Sequence, residues 1–98
     1  MHVSEIWMTQ RTLRPASQIS GMVDALLDGG SLPPISLARL SDGSIRVVDG
    51  HHRLAAIRLA GRCRLQRHEY VLVESDRWRP RFGKIDDMLR RNGIFESV

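Results

Sequence analysis

The run Ile45-Arg46-Val47-Val48-Asp49-Gly50-His51-His52-Arg53-Leu54-Ala55-Ala56-Ile57-Arg58-Leu59-Ala60-Gly61 decides how this chain folds. It opens with β-branched residues, turns at Gly50 and continues as an alanine-rich helix that stops at Gly61. Positions 49–53 hold a carboxylate, a glycine, two imidazoles and a guanidinium. A strand that feeds a helix through a glycine aims the helix's first N–H groups at one place. With the helix dipole behind them and Arg53 beside them, those groups form an anion site.

Working outward, the Asp42-Gly43 pair between two apolar runs is a hairpin signal. It joins a strand over 35–40, entered through Pro33-Pro34, to a returning strand over 45–48. The Ile-x-Val-Val character of that second strand predicts burial on both faces. Upstream, residues 3–8 mix β-branched and aromatic side chains and predict a first strand. Ile19, Met22, Val23, Leu26 and Leu27 recur at helical spacing over 16–28, and Gly29-Gly30 ends that helix. On the motif helix only Arg58 interrupts the apolar surface towards solvent. Downstream, residues 70–73 predict a strand and 84–92 a last short helix closed by Gly93. The whole predicts an α+β domain with a mixed sheet of about four strands and three helices. A single domain spans residues 1–98, with a core over 3–74 and a basic loop and helix over 75–98.

The 98 residues carry a net charge of +4, and fourteen of the fifteen basic residues are arginine, Lys84 being the exception. Arginine suits bidentate contact with phosphate, although arginine-favouring codons give the same bias. The charge permits nucleic-acid binding without establishing it. Cys63 is the single cysteine, which excludes an internal disulfide and fits a reducing, cytoplasmic compartment. No apolar run approaches the roughly 20 residues that span a bilayer, and no signal-peptide pattern opens the chain.

A strand, then Gly-His-His-Arg, then an alanine-rich helix closed by glycine is similar to the ParB/sulfiredoxin superfamily. The element order resembles that family over residues 3–74, and the resemblance implies a nucleotide-binding α+β domain. In ParB partition proteins the turn is a Gly-Glu-Arg-Arg type sequence that binds CTP. In sulfiredoxins it is Gly-Cys-His-Arg, which binds ATP and carries the catalytic cysteine. Free serine kinases of the superfamily carry Asp-Gly-His-His-Arg, the wording found at residues 49–53. His51 stands where sulfiredoxins have their cysteine, and Cys63 lies beyond the helix, so sulfinic acid reduction is excluded. Sulfiredoxins also hold ATP with lysine, serine and threonine of the first helix, where Gln18, Gly21 and Ala25 stand here. ParB proteins continue into a helix-turn-helix domain and a dimerisation segment that these residues do not contain. The kinases need an upstream catalytic glutamate, and Glu5 is the only one here.

The motif residues therefore each carry two readings. Gly50, His51, His52 and Arg53 bind a nucleotide phosphate, or Arg53 pairs with Asp24, Asp28 or Asp49 and the histidines bond inside the turn. Asp49 and His52 are the candidate catalytic pair, since imidazole titrates near neutrality. A carboxylate beside a phosphate calls for a bridging Mg²⁺ at Asp49; otherwise Asp49 caps the helix or orients Arg53. A zinc site from His51, His52, Cys63 and His68 lacks paired ligand spacing. Arg77, Trp78, Arg79 and Arg81 interleave stacking and phosphate-contacting side chains as single-strand binders do. In the other reading, Trp78 and Phe82 pack the last helix and the arginines are solvated.

These expectations combine into a stand-alone ParB-like domain holding ATP or CTP, with Mg²⁺, in a DNA-related setting. The alternatives are a small phosphotransferase or nucleotide hydrolase, and a non-catalytic interaction module. A domain this small often gains core by pairing, so a homodimer is the expected self-association, if any.

Overall fold

The Ser44 N–H donates to Asp42 Oδ1 at 2.8 Å, and Gly43 takes a φ of 86°. That turn folds Ile35–Arg39 back on Ile45–Asp49 as an antiparallel pair. The computed structural model describes residues 1–13 and 16–93, with backbone alone for 16–18. Its elements in chain order are β1 (Ile6–Trp7), α1 (Ala16–Leu27), β2 (Ile35–Arg39), β3 (Ile45–Asp49), α2 (His51–Leu59), β4 (Tyr70–Glu74) and α3 (Ile85–Arg91). The sheet order is β1-β3-β2-β4, with parallel pairs at β1/β3 and β2/β4. The fold is therefore α+β, a four-stranded mixed sheet with three α-helices among the described residues.

One face of the sheet makes the core. Ile6 pairs with Ile45 and Leu37 with Val47, and all four are buried with Ile35. Against them pack Leu54, Ala55, Ala56 and Ile57 of α2, Ile19 of α1, and Ile85, Met88 and Leu89 of α3. Full burial of each large aliphatic side chain contributes about 1.5–3 kcal/mol. Because α2 touches α1, α3 and β2 together, the turn at its head is held by the whole core. Arg58 does not face solvent as its place in the helix predicted. Its guanidinium reaches Asp86 of α3 at 2.8 Å and 3.4 Å, tying the two helices.

The opposite face is different. Strand register aligns Trp7, Arg46, Ala38 and Val73 in one row across it. After β4 the chain crosses this face as an irregular strap. Ser75 N–H donates to Arg39 O at 3.0 Å, Arg46 Nη1 donates to the Arg79 carbonyl, and Phe82 N–H reaches Met8 O at 2.9 Å. Arg46 is thereby 7% exposed inside the fold, a charge buried because its donors are used. Beyond the strap the face stays open, and Val48 is 41% exposed. The expectation that the strand over 45–48 is buried on both faces therefore fails at Val48. A register shift opposite Ser36 and Leu37 sets Val48 out of the ladder, and among the described residues no helix covers that side.

The expected first strand is also shorter than its composition suggests. Residues 3–5 coil into a 3-10 turn because Ser4 N–H donates to His2 Nδ1 and His2 N–H donates to Glu5. Local side-chain acceptors outcompete the ladder there. The strap makes a prediction. Arg46→Leu keeps apolar bulk but deletes the donor to Arg79 O, so stability should fall by about 1–2 kcal/mol. Amide exchange should speed at Met8 and Phe82, read by NMR, while Leu54 stays protected.

Candidate functional site

β3 ends at Asp49, and Gly50 takes φ 109° and ψ 28° as the N-cap of α2. Only glycine adopts that conformation readily, and here it also lacks room. A Cβ would lie 3.2 Å from Ile35 Cγ1 and Cγ2 and 3.3 Å from Arg53 Cζ. Gly50 has no side chain to cap the helix, and its carbonyl already accepts Leu54 N–H at 2.9 Å. The first-turn N–H groups of His51 and Arg53 thus have no partner inside α2. They head a depression of about 290 Å³ lined by residues 49–53 with Gln10 and Met22.

His51 is 7% exposed and looks inward. Its Nε2 accepts the Thr9 N–H at 3.0 Å, while Thr9 Oγ1 donates to Val47 O at 2.9 Å. An accepting Nε2 places the ring proton on Nδ1 in the neutral form. Burial, reinforced by His52 alongside, pushes the His51 pKa down to about 4, against a smaller opposing pull from Asp49. At neutral pH the ring carries no charge for a phosphate. It pins the segment after β1 to the head of α2, and its backbone N–H remains part of the helix terminus.

Arg53 is fastened in the same way. Its Nη1 donates to Pro34 O at 2.8 Å and Pro33 O at 3.2 Å, and Nη2 to Asp49 Oδ2 at 2.9 Å. The Asp49 partner was one of the alternatives legible in the sequence; Asp24 and Asp28 do not pair with it. The guanidinium is 18% exposed and the carboxylate 76%. Such a half-exposed pair contributes at most about 1 kcal/mol. Its larger effect is local neutralisation of Asp49, which leaves the dipole of α2 as the positive field of the turn. His52 lines the depression half-exposed.

The other candidates stand apart. Glu5 precedes Ile6, whose partner is Ile45, so it lies at the far end of β3 from Asp49. Four to five strand residues separate them, about 15 Å. The strap bearing Arg77, Trp78, Arg79 and Arg81 crosses at Arg46, three residues before Asp49 and about 10 Å along the strand. There Arg81 lies over the Trp7 ring at 4.9 Å, and Lys84 lies 4.0 Å from the same ring. Trp78 is 77% exposed, so it does not pack the last helix. Phe82 is half-buried under Arg11, 5.1 Å from its ring. Among the described residues no group of three or more His, Cys, Asp or Glu could hold a metal by itself. Gly21 and Ala25 lie on the exposed side of α1, and the Gln18 side chain lies outside the described residues.

Two contributors escaped the sequence reading. Thr9 orients His51, and the Pro33 and Pro34 carbonyls fix Arg53. No local pattern marks Thr9, because its partner is 42 positions away. The chain matches no family model, no curated protein and no solved structure.

Proposed function

We propose that the turn over residues 49–53 holds the phosphate of a nucleotide, ATP or CTP, in a ParB-like domain that works with DNA. The observation that carries this reading is the left-handed Gly50, which sets the N-terminus of α2 at the depression. Helix N-termini of this kind bind phosphate through backbone donors and dipole together. Asp49, exposed and paired on one oxygen with Arg53, is the residue that would share a Mg²⁺ with the phosphate. The arrangement supports binding better than catalysis. Among the described residues Asp49 and His52 are the only candidates at the depression, and phosphoryl transfer needs several positioned charges.

The test is an NMR titration of labelled protein with ATP, CTP and ADP, each with and without Mg²⁺. Amides of Gly50, His51, His52, Arg53 and Leu54 should shift, and Arg53→Ala should weaken binding about tenfold or more through loss of the clamp and its charge. A requirement for Mg²⁺ that disappears in Asp49→Asn would support the bridging ion. Silence at those amides with all three nucleotides would remove the proposal.

The DNA part rests on a separate observation, an arginine-flanked Trp78 left 77% exposed on an anchored strap. Stacking of single-stranded bases on such a ring contributes about 1–3 kcal/mol per base. Trp78→Ala should therefore weaken single-strand retention at least fivefold, measured by fluorescence anisotropy. Retention that does not fall with added salt would count against phosphate contacts by the strap arginines.

A further inference from the structure

β4 is the outer strand of the sheet, and β2 is its only strand partner among the described residues. Its five residues pair with β2 in unbroken register, so its outer edge is straight. Exposed edges are ordinarily protected by proline, lysine, a bulge or a covering loop. Among the described residues Tyr70-Val71-Leu72-Val73-Glu74 has none of these. Its open-face residues Val71 and Val73 are 53% and 51% exposed, and the strap leaves the strand end to cross the sheet, away from this edge.

We infer that β4 pairs antiparallel with β4 of a second copy of this chain about a two-fold axis at Leu72. That register is self-complementary. It sets Val71 against Val73 of the other copy, so two half-exposed valines cover each other on each side of the axis. It also sets charge against charge. Exposed Arg67 leads into the strand beside Glu69, which Arg62 engages, while exposed Glu74 and Asp76 close it with Arg77 beyond them. An antiparallel partner brings Glu74 and Asp76 of one copy towards Arg67 of the other. A parallel partner would place those carboxylates side by side. The result is a continuous eight-stranded sheet with both nucleotide turns outside the seam, an isologous contact that closes and does not propagate. The inference does not depend on what the turn binds.

Two measurements test it. Light scattering across a concentration series should give a dimer for the whole chain. Val71→Lys should give a monomer with native amide dispersion, since the lysine is exposed in the single chain. Val73→Lys should do the same through the other half of the pair. Second, in a Cys63→Ser background, Val71→Cys and Val73→Cys chains mixed under mild oxidation should form the mixed disulfide several-fold above either self-linked product. A monomer at every concentration overturns the proposal. So does a dimer indifferent to both lysines, or cross-linking without preference for the mixed pair.

Discussion

Gly50→Ala is expected to lower stability by about 2–4 kcal/mol and to erase nucleotide-induced shifts at the α2 head. Two costs combine in one methyl group. A non-glycine residue held at φ 109° is strained by about 1–3 kcal/mol. The new Cβ also presses on both γ carbons of Ile35 at 3.2 Å and on Arg53 Cζ at 3.3 Å. Ile35 is fully buried beneath the sheet's helical layer, so it has no free volume to yield, and overpacking there adds about 1–3 kcal/mol. Arg53 yields more easily, but only by loosening from the Pro33 and Pro34 carbonyls. Gly21→Ala is the matched control. Gly21 lies inside α1 with nothing within 4 Å of its would-be Cβ, so alanine there should stabilise by up to about 1 kcal/mol. Urea denaturation of the two variants should move in opposite directions. A Gly50→Ala protein within about 0.5 kcal/mol of the parent would refute the left-handed turn.

The strand, glycine and helix of residues 45–61 were legible because each uses a local signal. β-Branched residues, a forced turn and an apolar periodicity lie next to one another in sequence. The hairpin at Asp42-Gly43 is legible for the same reason, its turn bond spanning two residues. What failed to show is what depends on distant partners. Arg58 reads as solvent-facing because it interrupts an apolar helix surface, yet its partner, Asp86, is 28 positions on. Arg46 interrupts an apolar strand without sign of its use, since its acceptor is the backbone of Arg79. A carbonyl acceptor leaves no trace in residue type. Sequence leaves Trp78 open between packing the last helix and stacking outside it, and the fold leaves its ring outside.

The same limit explains the site. Residue types at 49–53 announce an anion-binding turn but leave open whether each side chain holds the ligand or the turn itself. In the fold the labour divides. His51 and Arg53 face protein acceptors and donors, Asp49 neutralises Arg53, and the N-terminus of α2 lines the depression. A motif read as ligand contacts is in good part the scaffold that aims the main chain.

That scaffold should be sensitive to acid through His51. Its pKa of about 4 in the folded chain compares with an ordinary 6.5. Between those values the unfolded chain binds a proton that the folded chain refuses, so stability rises with pH across this window. The contribution is complete above about pH 6.5 and is lost as pH falls towards 4, at about 1.4 kcal/mol per unit, or roughly 3 kcal/mol in all. Protonation of Nε2 also turns the acceptor of the Thr9 N–H into a donor, which forces the β1–α1 segment off the head of α2. Asp42, Glu69 and Asp76 are held below the ordinary carboxylate range by hydrogen bonds from Ser44, Arg62 and Ser41 respectively. Their losses come in more acid solution, beneath the His51 window. His51→Gln keeps an acceptor for Thr9 and has no proton to gain. Urea midpoints measured from pH 7 to 4.5 should fall steeply for the parent and stay nearly level for His51→Gln. The two proteins should converge at the acid end, and parallel curves would place the acid-sensitive group elsewhere.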